Sequence, residues 1–153
     1  MCGVYRVHKN QFKQRGYFFR EDEDRIFRGV ALSAAYIFGL GKSIIDVPYD
    51  PNLYFEGEEM SLALRLYTNG YNIYHPNEVF LFHHWLRHGQ PRHWTDAKDW
   101  NEYQKIAIQR INSLIGLDDI DLGIYGLGNV RTLEDYKNYS GIDVVGGGIH
   151  TSR

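Results

Sequence analysis

The apolar and polar positions change period several times along the chain. Residues 1 to 28 alternate weakly and end in the charged run Glu21 to Arg25, a pattern of one or two short strands and a solvated loop. Val30, Leu32, Ala34, Tyr36 and Phe38 then stand two apart with small or apolar residues between them, which predicts a strand buried on both faces and ended by Gly39 and Gly41. From Glu58 to Asn69 the period turns helical: Met60, Ala63, Leu64 and Tyr67 share one face, and Gly70 supplies a left-handed stop. Two short strands, Tyr71 to Tyr74 and Val79 to His84, are expected around the turn at Pro76 and Asn77, followed by a loop rich in His and Arg. Trp100, Tyr103, Ile106, Ala107, Ile111 and Leu114 keep a 3.6-residue period and predict a helix from about Asp96 to Ile115, with Gly116 behind it. Thr132 and Asp135 have capping-box spacing at the start of a short helix reaching about Tyr139, and the glycine-rich segment from Gly146 reads as a loose tail.

Composition narrows the classes. With 153 residues, 43% apolar and 15% aromatic, the chain holds enough to bury one core and too little for two ordinary domains. Its 17 Lys and Arg against 19 Asp and Glu leave no basic excess for neutralising a phosphate backbone, so nucleic acid is not an expected partner. The single cysteine, Cys2, cannot form an intrachain disulfide, and the first residues lack the apolar core of a signal peptide. The longest apolar run, Val30 to Leu40, is about half of a bilayer span. These features point to a cytoplasmic protein with no membrane partner.

Candidate chemistry concentrates between residues 48 and 87. The turn after Pro48 delivers Glu56, Glu58 and Glu59 to a helix start, where the positive end of the helix dipole favours carboxylates and fixes their directions; a plain helix start would use the same residues. His83 and His84 stand at the end of a strand, where one imidazole can reach a divalent cation. Adjacent strand residues face opposite ways, so one of the two is the ligand for any given site. His75, His88 and His93 add donors nearby, but no cysteine or His-x-x-x-His helix pair completes a zinc frame. Two motif matches fail: the Gly-Lys-Ser at Gly41 to Ser43 needs a glycine where Tyr36 stands, and Asp22 and Asp24 lie in a charged stretch too close to Glu58 for a buried metal-binding pair.

Residues 29 to 87 carry, in order, ALSAAYIF, PYDPNLYFEGEE, RLYTNGYNIYHP and HHWLR, and residues 125 to 143 carry YGLGNVRTLEDYKNYSGID. Together these resemble the retaining N-acetylglucosaminyltransferases that modify hydroxyproline on a cytoplasmic protein. More distantly they resemble the polypeptide N-acetylgalactosaminyltransferases, through Gly57 and Glu58, Arg65, Gly70, Pro76 and the His-x-x-Arg of His84 and Arg87. The resemblance implies an α/β chain with the glycosyltransferase A type fold and a mixed sheet. It divides the chain into a lead-in at 1–28, an acceptor-side region at 29–143 and a tail at 144–153, with the nucleotide-binding half of the family missing. It implies Glu58 and Glu59 as catalytic carboxylates, Asp50, Gly57, Arg65, Arg87 and Trp85 as substrate contacts, and His84, with His83 in reserve, as ligand to Mn²⁺ or Mg²⁺.

The expected activity is transfer of a sugar, N-acetylglucosamine, from a UDP-sugar donor to a hydroxyl on a protein or glycan, with retention. A homo-oligomer or a partner half-domain is expected to complete the sheet. Two other readings use the same residues. A non-catalytic carbohydrate-binding module would draw on the many tyrosines and tryptophans, and a small metal-dependent hydrolase would be built on the histidines and glutamates.

Overall fold

The computed structural model describes residues 2–8, 11–16, 26–55, 57–76, 81 and 89–149. The lead-in forms an antiparallel hairpin of β1 (Cys2–His8) and β2 (Gln11–Gly16), with an irregularity between Arg6 and His8. A third strand, β3 (Phe27–Gly29), pairs antiparallel with β4 (Ile73–His75), aligning Arg28 with Tyr74. Among the described residues the strand pairs are two-stranded and antiparallel; the expected mixed sheet is not among them.

The helix predicted at Glu58 is present as α2 (Glu58–Thr68), and all four residues of its predicted apolar face are buried. Gly70 has φ +92° and accepts the role expected of it, its N–H bonding to the Tyr67 carbonyl behind the helix end. Around α2 lies one core of Ala31, Met60, Leu64, Tyr67, Leu114, Ile115, Tyr136, Ile142 and Val144. The long second helix is α4 (Trp100–Leu114), shorter at its start than the periodicity suggests. The preceding turn breaks it, so that a separate short α3 (His93–Asp96) stands before Ala97 to Asp99.

The capping box is fully formed at α5 (Leu133–Ser140): the Asp135 N–H donates to Thr132 Oγ1 at 3.0 Å, and the Thr132 N–H donates to Asp135 Oδ2 at 2.7 Å. From this helix Tyr136, fully buried, donates to the Val30 carbonyl at 2.5 Å, and Tyr139 donates to the Gly29 carbonyl at 3.2 Å. The described part of the tail expected to be loose, to Ile149, closes a small hairpin, β5 (Ile142–Asp143) with β6 (Gly148–Ile149), and residues 150–153 lie outside the described residues. Asp143 holds that turn by accepting from the Gly146 N–H at 2.7 Å and pairing with Lys137 at 2.9 Å.

The predicted buried strand at 30 to 38 is the main correction. Ala31 is buried, but the chain then turns at Ser33 to Tyr36 and runs without regular structure to a short α1 (Gly41–Asp46), so Gly41 begins an element instead of ending one. Phe38 is 86% exposed and Leu40 75%, with Ile44 and Ile45 also exposed. A two-faced strand needs neighbours on both edges. Here β3, just before the segment, pairs with the distant β4, and no described strand pairs with the segment itself. The strand expected at 79 to 84 lies outside the described residues except for Leu81.

Candidate active site

The site grows from the junction of the loop at 47–57 with the start of α2. Val47 is buried, Pro48 restricts the backbone, and Asp50 is only 4% exposed. Asp50 Oδ1 accepts from the N–H of Asn52 at 3.0 Å, a local turn that short acidic residues favour. Its Oδ2 accepts from Arg110 Nε at 2.8 Å, a part-buried ion pair between this loop and α4. Arg65, 1% exposed, reaches the same loop from inside α2: Nη1 donates to the Pro48 carbonyl at 2.7 Å, Nη2 to Ile124 at 3.2 Å and Nε to Gly126 at 3.4 Å. Both guanidiniums lie against the Tyr125 ring, at 5.6 Å for Arg65 and 5.8 Å for Arg110.

Gly57 sits at φ +96° immediately before α2. A Cβ placed there would lie 2.0 Å from Ile111 Cδ1, so α4 packs against the turn itself and only glycine meets both demands. Glu58 and Glu59 follow as the first helical residues. Both are half-buried, and Glu58 Oε2 is shielded from solvent. Glu59 Oε1 accepts from the Ala34 N–H at 2.6 Å, tying the irregular segment after β3 to the helix start.

Tyr49 stands between Pro48 and Asp50 and is 47% exposed. Its phenol is pushed up to about 12, first by burial and then by the carboxylates of Glu58, Glu59 and Asp50. The sequence reading missed Tyr49, whose phenol feels the charges of these carboxylates. Its only sequence signal was its place inside the Pro-Tyr-Asp turn. Arg110 was missed as well, since on α4 it reads as an ordinary solvent-facing cation.

Of the other expected site residues, His83, His84, Trp85 and Arg87 lie outside the described residues, as do Glu56 and His88. His75 on β4 is half-buried over Gly29, where a Cβ would lie 2.3 Å from its Nε2, and burial lowers its pKa. Among the described residues no three His, Cys, Asp or Glu side chains gather as a cation site. Asp50 illustrates why: one oxygen is held by Arg110 and the other by the Asn52 turn.

Residues 125–131 are fixed by main-chain contacts at the far end of α2. Thr68 Oγ1 accepts from the Gly128 N–H at 2.9 Å, and the Thr68 carbonyl accepts from the N–H groups of Val130 and Arg131. A Cβ at Gly128 would lie 2.6 Å from Asn69, so residues 125–131 lie flush on the end of α2. Arg131 completes the contact through the Gly70 and Tyr71 carbonyls and the face of Tyr67.

This is an α/β chain of helices and small antiparallel sheets, with Glu58 and Glu59 at the start of α2 as its candidate site. The family model described as Glycosyltransferase (GlcNAc) matches residues 2–146, and the chain belongs to that glycosyltransferase family. Neither a curated protein nor a solved structure matches it. Membership makes it a transferase whose partners are, in general, a sugar donor and an acceptor. Among the described residues no helix is long and apolar enough to cross a membrane.

Proposed function

We propose that the chain serves transfer of N-acetylglucosamine from UDP to a hydroxyl of a protein or glycan, with retention, on the glycosyltransferase A type fold of the hydroxyproline-linked enzymes it resembles. The observation that supports this best is the loop at 47–57. Buried Arg65 and partly buried Arg110 anchor it just before the helix start that carries Glu58 and Glu59, within a family whose description names the sugar.

In this reading Glu58 faces the acceptor and orients its hydroxyl by accepting a hydrogen bond, which places the oxygen for attack on the anomeric carbon. Glu59, with one oxygen engaged by Ala34, supports that placement. Arg65 and Gly57 act on the substrate through the loop they shape. Trp85 and Arg87 are proposed as further substrate contacts. A divalent cation, Mn²⁺ or Mg²⁺, would supply stabilisation of the charge that develops on the departing diphosphate. His84, in the His-x-x-Arg frame with Arg87 and with His83 in reserve, is the proposed ligand, as the resemblance implies.

UDP release from UDP-N-acetylglucosamine tests the donor, and calorimetry tests the ligand. His84→Ala is expected to weaken Mn²⁺-dependent UDP binding by the enzyme far more than His88→Ala; equal effects would take His84 off the ligand list.

The exposed apolar stretch Tyr36 to Ile45 supports a partner for this region. Exposed aliphatic and aromatic side chains concentrated in one short segment are unusual on a monomer. The family's uridine-binding part, or a second copy, would pack there. Light scattering on the chain alone is expected to show self-association, and a clean monomer would argue that the segment needs no cover.

A further inference from the structure

The first two residues of α2 are both glutamates, and the helix sets them apart. Successive helical residues project about 100° from one another, so Glu58 and Glu59 leave the helix start in different directions and do not both present a carboxylate to one hydroxyl. Glu59 is engaged elsewhere: its Oε1 accepts from the Ala34 N–H at 2.6 Å, the short distance of a charge-assisted bond. The start of α2 also lacks the usual local anchor. Its cap residue is Gly57, which offers no side-chain oxygen to the first N–H groups, and a helix end without a cap frays.

The partner of Glu59 stands in the segment that leaves β3. As far as Ala31 this segment belongs to the core: Tyr139 donates to the Gly29 carbonyl at 3.2 Å, Tyr136 to the Val30 carbonyl at 2.5 Å, and Ala31 has no exposed surface. Both tyrosine rings pack on Tyr67 of α2, each with its centroid 5.3 Å away. Beyond Ala31 the chain leaves the core. Ser33, Ala34 and Ala35 are exposed, and the Tyr36 N–H closes a turn on the Ser33 carbonyl at 3.2 Å. The Glu59 bond therefore joins a turn rooted in the core two residues earlier to a helix start that has no side-chain cap of its own.

We infer that Glu59 is a positioning residue: by holding the Ala34 N–H it fixes the uncapped first turn of α2, and with it the direction in which Glu58 points. Contact with the acceptor is left to Glu58. The effect on turnover rests on the role proposed for Glu58 above, whereas the bond to Ala34 does not.

Glu59→Ala removes the acceptor of that bond, and Glu59→Gln keeps an acceptor oxygen without the charge. UDP release from UDP-N-acetylglucosamine by the full chain, read together with NMR amide exchange at Ala34, separates the roles. Glu59→Ala should lower kcat by about 10-fold or more, because Glu58 loses its placement. It should also speed exchange at Ala34 by about 5-fold or more. Glu59→Gln should restore most of the turnover and the slow exchange. A carboxylate acting on the substrate would be missed equally in both variants, so Glu59→Gln as slow as Glu59→Ala would overturn the inference. A purely structural role would lower the melting temperature of Glu59→Ala and leave kcat unchanged well below it, which overturns the inference too. If the wild-type chain releases no UDP, the donor reading fails, and exchange still decides the bond: faster exchange at Ala34 in Glu59→Ala upholds the pin, and unchanged exchange removes it.

Discussion

Glu58→Gln is expected to lower sugar transfer by ~10²-fold or more, equivalent to about 2.7 kcal/mol of transition-state stabilisation. The substitution keeps the volume and most hydrogen bonding of a residue at the first position of α2 and removes only its charge. A carboxylate whose sole role is to start a helix contributes about 0.3 to 1 kcal/mol through the helix dipole. The two roles therefore separate by size and by observable. If Glu58 orients the acceptor hydroxyl, turnover falls and thermal unfolding barely moves. If it only starts the helix, turnover stays and the melting temperature drops slightly. Tyr49 gives an independent check, because Glu58 is one of the charges that raise its phenol. Removing that charge lowers the Tyr49 pKa, and ultraviolet titration of the variant should show a phenol ionising earlier than in the wild type.

Arg65→Met should cost on the order of 3 to 5 kcal/mol of stability, a large share of what a domain of this size possesses. Methionine fills much of the same space, so the loss is not principally a cavity. It comes from the carbonyls of Pro48, Ile124 and Gly126, which lose their donors beneath the surface, and each buried acceptor left without a partner costs about 1 to 3 kcal/mol. Arg65→Lys should recover only a fraction, since one ammonium cannot serve three carbonyls spread around a planar guanidinium. Chemical denaturation with tyrosine fluorescence measures both variants. A loss below about 1 kcal/mol for Arg65→Met would show that water replaces the guanidinium and that the loop is not held from α2.

The helices were legible in the sequence because their signals are local. Met60, Ala63, Leu64 and Tyr67 recur at the helical period and Gly70 ends the run, so α2 follows from neighbours a few residues apart. Thr132 and Asp135 satisfy each other's backbone groups across one turn, and α5 begins where that spacing places it. The carboxylates at the start of α2 were legible for the same reason. Tertiary structure decided what depends on distant partners. The stretch from Val30 to Phe38 has the composition of a buried strand, yet a strand exists only where other strands bond its edges, and the described pairing is spent on β3 and β4. The tail after Gly146 became a hairpin because Asp143 and Lys137 hold its turn, a contact glycine content does not announce. Arg110 reads from sequence as a helix-surface cation, and Arg65 is expected as a substrate contact. Only the fold shows both beneath the site, because the Asp50 carboxylate and the Pro48 carbonyl reach them from as many as 60 residues away in the chain.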